Sequence, residues 1–354
     1  MEVTVTHFAM DRRTIEEVEA LTPTGTPKLA DVARLANVSE NTASRVVRNK
    51  GFIAAETRQR VNEAIEKLGY VPNRAAGSLA SSSSMIIGVI LPSLSNIVFA
   101  EVLHGIHAGL AGTPYQPMIG VTDYGLVKEQ QLISSLLAWQ PAAIVTTGLE
   151  HTDAARGMLE ASRVRIAELM DIDSRPVDLA VGLSNREAGR AIARHLMQRG
   201  YSKIAYVGHD WLADRRSHAR YLGLCEGLSE KGLALVAENR IDGPSSTLSG
   251  REALARLLVD GADIEAVAFS NDDMAVGGFM HCLAADISVP DKLALFGFNG
   301  LEIGQALPKP LSTVLSNRFA IGKAAVEHLL ESAERSDPPK VIDIGFSIIE
   351  GATA

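Results

Sequence analysis

Two cysteines, Cys225 and Cys282, are all that this 354-residue chain contains. They are too few and too far apart for a disulfide framework or a zinc site, which agrees with a reducing compartment. No run of 18 apolar residues occurs, so there is no candidate for a membrane-crossing helix and no membrane partner is expected. Residues 1–27 carry acidic groups and no small-residue cleavage site behind an apolar stretch, so no export signal is read there and the chain is expected in the cytoplasm. Enzymatic signatures are missing as well. No G-x-x-x-x-G-K-[ST] or G-x-S-x-G motif appears, the nine histidines are scattered, and no Cys/His pair is placed for nucleophilic or metal chemistry. The expectation is therefore a protein that is not an enzyme and carries neither metal nor cofactor.

What is present is a chain with 46% apolar residues, long enough for two or three domains. Its formal charge of −8 is unevenly spread. Residues 27–84 hold nine Lys/Arg against five acids, a net of +4; residues 1–26 hold two against five, a net of −3; and −9 is left for residues 85–354. A basic module fused to an acidic body is the electrostatic footprint of a protein that touches phosphates at one end only.

Residues 1–27 read as a tail with a short helix over 14–21 and a linker, TPTGTP, at 22–27. From Lys28 the pattern is helical. Leu29, Val32, Ala33 and Ala36 make one side of a short helix. Asn37-Val38 is a tight turn, and Ser39 can cap a second helix, Glu40 to Arg48, that turns Ala43, Val46 and Val47 inward and Asn41, Thr42, Arg45 and Arg48 outward. A third, Thr57 to Leu68, begins at a capping residue, carries Val61, Ala64, Ile65 and Leu68 on one stripe and stops at Gly69. Three short helices joined this way form a helix-turn-helix over residues 28–72. Residues 73–84 read as a short helix and linker; a helix this short is marginal in water.

Beyond residue 84 apolar strand candidates alternate with amphipathic helices: 85–91, 116–122, 142–148, 165–171, 179–183, 203–208, 266–270 and 293–298. Continuous apolar strands separated by helices demand parallel sheets covered on both faces, and this length suits two such sheets. The fold class expected is an all-α helix-turn-helix headpiece plus an α/β two-lobed core. One lobe spans about 85–184 and 316–345, the other about 185–315 and 346–354. Ligands of open α/β sheets bind beyond the carboxyl ends of the strands.

The stretch 28–80, from KLADVARLANVSENTASRVV to GYVPNRAAGSLA, resembles the headpiece and hinge of the LacI/GalR repressor family. The likeness continues through LPSLSNIVFAEVLHGI (91–106), HLMQRGYSKIAYVG (195–208), ARYLGL (219–224), FSNDDMAVGG (269–278) and VPDKLALFGFNG (289–300). Within that family, the phrases LPSLSNIVFAEVLHGI, AELMD, AVGLSN and IDIGFSIIEG are most similar to the gluconate-responsive branch. The resemblance implies a repressor whose core is like a periplasmic binding protein. It would work as a homodimer on a palindromic operator under allosteric control by a sugar-type effector, gluconate or a related sugar acid; a neutral sugar or a sugar phosphate is the alternative. A sugar-binding protein without DNA function shares the core but would need an export signal and no helix-turn-helix.

Within a helix-turn-helix, side chains near the N-terminus of the second helix reach base edges. Asn41 could pair with adenine, Glu40 could accept from cytosine, and Arg45 could fork onto guanine or clamp a phosphate. Ser39, Thr42, Ser44 and Asn49 suit phosphate contacts, and Leu29, Asn73 and Arg74 complete the expected DNA-binding set. Resemblance implies that residues 73–84 are a hinge helix and linker that orders only on DNA, and that Leu79 of each subunit wedges into the minor groove at the operator centre. Ala43 and Glu40 depart from the family's common valine and its aromatic or basic residue. For the effector, the match points to Ser93, Phe99, Asp123, Tyr124, Asp171, Arg220, Asn271 and Asn299. A polyol needs paired donors and acceptors in place of water, and a guanidinium at Arg220 can grip a carboxylate or phosphate bidentately. Asn299 replaces an acidic residue common in the family, which eases binding of an anion.

Overall fold

The computed structural model describes residues 25–72, 84–212, 214–259, 261 and 263–354. The chain divides into two compact units, 1–82 and 83–354. In the first, helices α1 (Leu29–Leu35), α2 (Glu40–Val47) and α3 (Ala55–Leu68) close on a small core of Val32, Ala33, Ala36, Ala43, Val46, Val61 and Ala64. The turn between α1 and α2 relies on Asn37, whose φ of 52° is one that asparagine tolerates better than most side chains. Ser39 caps α2, its Oγ accepting from the Thr42 amide at 3.1 Å. Gly69, with φ 59°, ends α3 in the left-handed conformation. Two local expectations need correcting. α3 starts at Ala55, two residues early, and Ala54 precedes it without any side-chain cap; Val47 is only half-buried.

The second unit alternates strands and helices: β1 (Ile86–Leu91), α4 (Ile97–Leu110), β2 (Gln116–Val121), α5 (Leu126–Ala138), β3 (Ala143–Thr147), α6 (Asp153–Ala161), β4 (Arg165–Leu169) and β5 (Leu179–Gly182). It continues with α7 (Asn185–Gln198), β6 (Ile204–Gly208), α8 (Arg215–Ser229), β7 (Ala237–Arg240), α9 (Thr247–Val259), β8 (Ala266–Phe269), α10 (Asp272–Ala284) and β9 (Ala294–Asn299). The short α11 (Glu302–Gln305), then β10 (Ser312–Ser316), α12 (Arg318–Glu331), β11 (Lys340–Asp343) and β12 (Phe346–Ile349) complete it.

Two six-stranded sheets result, ordered β11-β5-β4-β3-β1-β2 and β12-β10-β9-β8-β6-β7. The first is parallel throughout. In the second, β12 runs antiparallel to β10, a departure from all-parallel sheets that follows from the chain entering this sheet from β11 of the other one, at the carboxyl ends of the strands. The chain passes between lobes three times, after β5, after β10 and after β11. Each central strand is buried along its length, as continuous apolar runs require when helices cover both faces.

Candidate functional site

The carboxyl ends of both sheets meet at an interlobe cleft. Its inner chamber is lined by Asn96 and Phe99 at the start of α4, Tyr124 after β2 and Asn185 at the start of α7; Asp214, Arg216 and Arg220 join from α8, with Phe298 and Asn299 from the end of β9. Backbone geometry at the strand ends is unusual: Tyr124, Met170 and Asn299 have φ of 63°, 70° and 120°. Such conformations are disfavoured for residues with side chains and gather at ligand sites, where surrounding packing sustains them. Tyr124, Met170 and Asn299 themselves line the chamber.

Arg220 is the best-held of these groups. Its Nη1 donates to Asn185 Oδ1 at 2.9 Å and its Nη2 to the Ser270 carbonyl at 3.1 Å, while its guanidinium lies 4.0 Å from the centre of the Phe298 ring. Burial pulls its pKa down, and Asp214 works against that. Asp214 caps α8, accepting from the Ser217 amide at 3.2 Å, and stands 3.4 Å from His209 Nε2 and 3.5 Å from Arg216 Nε. Burial alone would raise its pKa, but Arg216, the His209 hydrogen bond and Arg220 outweigh that and hold the carboxyl well below its usual range. His209 closes the ring of contacts through Nδ1 and Ser270 Oγ, 2.9 Å apart. Arg216 thus pairs with the ionised Asp214 while Arg220 acts on it through space, and two guanidiniums to one carboxylate in the lining leave positive charge in excess at the chamber wall.

The close packing of α7 on α8 places this network. A Cβ on Gly223 would stand 1.9 Å from the Arg186 carbonyl, and one on Gly189 would stand 2.0 Å from the Arg220 carbonyl. Only the bare backbones let the two helices approach so closely, and that approach brings Asn185 within hydrogen-bonding reach of Arg220.

Of the eight effector residues expected, Phe99, Tyr124, Arg220 and Asn299 line the inner chamber. Phe99 is packed edge-to-face on Tyr124, centroids 6.3 Å apart, with the Arg216 guanidinium 5.6 Å away, so it serves both core and cleft. Asn299 Oδ1 accepts from Ser316 Oγ at 3.2 Å, and its backbone carbonyl accepts from Arg318. Asp171 lies one step behind, its Oδ1 accepting from Asn185 Nδ2 at 3.3 Å and from the Ile172 amide at 2.8 Å. The remaining three are not brought to the lining. Ser93 Oγ ties the loop after β1 by accepting from the Ser95 and Asn96 amides; Asp123 faces solvent and pairs with Lys128; Asn271 caps α10 and donates to Ser245 Oγ at 2.7 Å. Asn96, Asn185, Asp214 and Arg216 were not foreseen. Asn96 and Asn185 follow strand ends, the place the α/β rule indicates, whereas Asp214 and Arg216 follow a loop whose spacing carries no signal.

On the headpiece, Glu40, Asn41 and Arg45 are exposed on α2, Thr42 and Ser44 half-exposed, and Leu29 packs against the small core. Ser39 and Thr42 hydroxyls bond each other at 2.9 Å. Arg45 Nη2 reaches the Phe52 carbonyl at 3.4 Å, across Gly51, where a Cβ would come 2.5 Å from that nitrogen. Asn49 Oδ1 accepts from Arg58 Nη1 at 2.8 Å. Asn73, Arg74 and Leu79 lie outside the described residues, as does the short helix expected over 14–21.

Residues 28–73 match the model for bacterial regulatory proteins of the lacI family, and residues 193–354 that for a periplasmic binding protein-like domain. The chain is 37% identical over 332 residues to the HTH-type transcriptional regulator GntR of Pseudomonas aeruginosa, spanning 92% of this chain and 95% of that protein. It belongs to the LacI family. A crystal structure of a LacI-family transcriptional regulator from Silicibacter pomeroyi is similar at a TM-score of 0.88 and 40% identity, over 92% of this chain and 99% of that one. The Lac repressor dimer bound to operator and an anti-inducer shares the fold, at a TM-score of 0.81 and 24% identity over 93% and 99% of the two chains. As a LacI-family member the chain is a DNA-binding transcriptional regulator, and its curated relatives are regulators rather than enzymes. Its second unit is the two-lobed fold expected. Among the described residues, no helix is long and apolar enough to cross a membrane.

Proposed function

We propose that this LacI-family regulator is a cytoplasmic homodimeric repressor that binds a palindromic operator, and that a small sugar acid, gluconate or a close relative, binds between the lobes and sets its operator affinity. The observation that carries the effector class is the presence of two guanidiniums, Arg216 and Arg220, in a chamber whose lining holds one carboxylate, Asp214. That arrangement leaves a surplus of positive charge with forked donors, which suits a carboxylate. Asn96, Asn185 and Asn299 offer the mixed donors and acceptors that a polyol requires, and Asn299 adds no negative charge to oppose an anion. The likeness to the gluconate-responsive branch points the same way.

On the DNA side, Asn41 and Glu40 are the exposed side chains at the start of α2 and are assigned to base edges. Arg45 is assigned to a base or a phosphate once released from the Phe52 carbonyl, and Ser39, Thr42, Ser44 and Asn49 to phosphates.

The test is a thermal-shift screen of neutral sugars, sugar acids and sugar phosphates, followed by operator titration with the best ligand. A ligand that binds only the folded state at 100 times its dissociation constant adds about 2.7 kcal/mol of stability. Gluconate should raise the melting temperature and change operator affinity. Stabilisation by neutral sugars alone would overturn the sugar-acid assignment, and absence of salt-sensitive affinity for any genomic duplex would overturn the regulatory one.

A further inference from the structure

Beside the inner chamber lies an outer one, lined by Thr122, Glu129, Thr147, Glu150 and Arg215 among others, and the two share Tyr124 and Arg216 as a common wall. Charge differs between them. The inner chamber has the Arg216 and Arg220 guanidiniums against Asp214, whereas the outer sets two carboxylates, Glu129 and Glu150, against Arg215 and the shared Arg216, and adds the hydroxyls of two threonines. An anionic group therefore prefers the inner chamber, and a neutral hydroxylated chain can be received by the acceptors of the outer one.

Glu129 is not a casual surface acid. It sits in the first turn of α5, 5% exposed, with Oε2 2.9 Å from His151 Nδ1. His151 is held on its other side by Glu168, whose Oε1 is 3.1 Å from Nε2, and the second oxygen of Glu168 accepts from the Val177 amide at 2.5 Å. The His151 and Glu168 side chains are fully buried. Burial acts to lower the imidazole pKa, but the two carboxylates prevail and push it up to about 9, so at neutral pH both ring N–H groups donate. Glu129 is thereby fixed through one oxygen. Among the described residues no group donates to its other oxygen, Oε1, although the residue lines the chamber. A carboxylate oxygen on a largely buried side chain, open to the chamber and without a protein donor, is a strong acceptor for a hydroxyl.

We propose that Glu129, braced by His151 and Glu168, is the specificity-determining acceptor that reads the hydroxyl tail of the effector. The carboxylate of an open-chain sugar acid seats on Arg216 and Arg220, its carbon chain passes Tyr124, and its distal hydroxyls reach Glu129 in the outer chamber. This rests on the sugar-acid reading above and extends it from a charge preference to a chain-length and orientation preference: aldonates of five or six carbons, not three.

The experiment is calorimetric titration of the full chain with gluconate, ribonate and glycerate, for the unaltered protein and for Glu129→Gln. Glutamine keeps the shape but exchanges a charged acceptor for a neutral one, and a hydrogen bond to a charged group is stronger by about 1 kcal/mol or more, which is roughly five- to tenfold in affinity. The variant should bind gluconate about five- to tenfold more weakly and glycerate within about twofold of the unaltered chain. Thr147→Val, in the same chamber, provides a second variant should Glu129→Gln fold poorly, with the same selective loss expected. Parallel losses for all three acids, or an unchanged gluconate-to-glycerate ratio, would overturn the inference while leaving the sugar-acid reading in place. Failure of the unaltered chain to bind any of the three acids would overturn that reading and this one together.

Discussion

At the scale of single residues, the second unit is marked by polar groups buried with their partners. Glu168, Asp178, Asp272 and Arg165 are almost fully buried, which is tolerated only when each is paired or hydrogen-bonded. Arg165 Nε donates to Asp178 at 2.7 Å, and the same carboxylate oxygen accepts from the Ile166 amide at 2.9 Å. The His151 bridge is the case with a clear pH signature. Its folded pKa is raised to about 9 from the ordinary 6.5. The stabilisation it contributes is therefore fully present below about pH 6.5 and is lost as pH climbs through about 9. Titration of the histidine ring protons by NMR should show one imidazole, absent from His151→Gln, with its midpoint near pH 9. Thermal stability of the unaltered chain should fall over the same interval; an imidazole that titrates near 6.5 would mean that the two carboxylates do not hold it charged. Residue roles were also where sequence reasoning reached least far. Arg220 could be singled out because a guanidinium in a recognisable phrase has few bland uses. Asp123 looked equivalent to Tyr124, its neighbour after β2, yet successive left-handed residues send the two side chains in different directions, and no local pattern encodes that.

At the scale of elements, the strands that could be read were those buried on both faces. Runs such as IIGVIL and IAYVG admit only apolar residues, and the structure places strands in all eight expected segments within two residues at each end. The four that escaped notice have other compositions for identifiable reasons. β7, AENR, is an edge strand with alternating exposure, and β11, KVID, and β12, FSII, also lie at sheet edges. β10, STVLS, is central but polar. Its Ser312, Thr313 and Ser316 are fully buried because Thr353, Ala354, Asp272 and Asn299 satisfy them across the fold, and such long-range partners are invisible to periodicity. α3 shows the same limit at a boundary: polar residues looked like a cap, but an alanine precedes the helix.

The α7–α8 pair yields a prediction at this scale. Gly223→Ala forces a Cβ against the Arg186 carbonyl, and overpacking of this kind costs about 1–3 kcal/mol. Denaturant melting should register that loss. Because the displaced helix carries Asp214, Arg216 and Arg220, effector affinity should fall as well, whereas Gly157→Ala, in open space on α6, should leave effector affinity unchanged. Retained effector affinity in Gly223→Ala would separate the helix spacing from the site.

At the scale of the whole molecule, a module of net +4 and a body of net −9 occupy one chain, and this asymmetry makes operator binding an electrostatic measurement. Each phosphate neutralised contributes about −0.9 to the slope of log affinity against log salt. Operator titrations across a salt series should give a steep negative slope, and Asn41→Ala, which removes a side chain proposed to read a base edge, should lower affinity without changing that slope. The effector acts by a different route if it acts by shifting the core between two states that differ in operator affinity. Linkage then requires reciprocity: the factor by which gluconate changes operator affinity must equal the factor by which operator changes gluconate affinity. With a typical coupling of about 1–3 kcal/mol, both factors should fall between roughly fivefold and 150-fold. Calorimetry of gluconate into free protein and into the protein–operator complex, set beside operator titrations with and without gluconate at the same salt, measures both sides of the cycle. Unequal factors would mean that gluconate has a second site or that the complex changes its subunit count. Equal factors near one would remove the cleft from control of DNA binding, however tightly it holds its ligand.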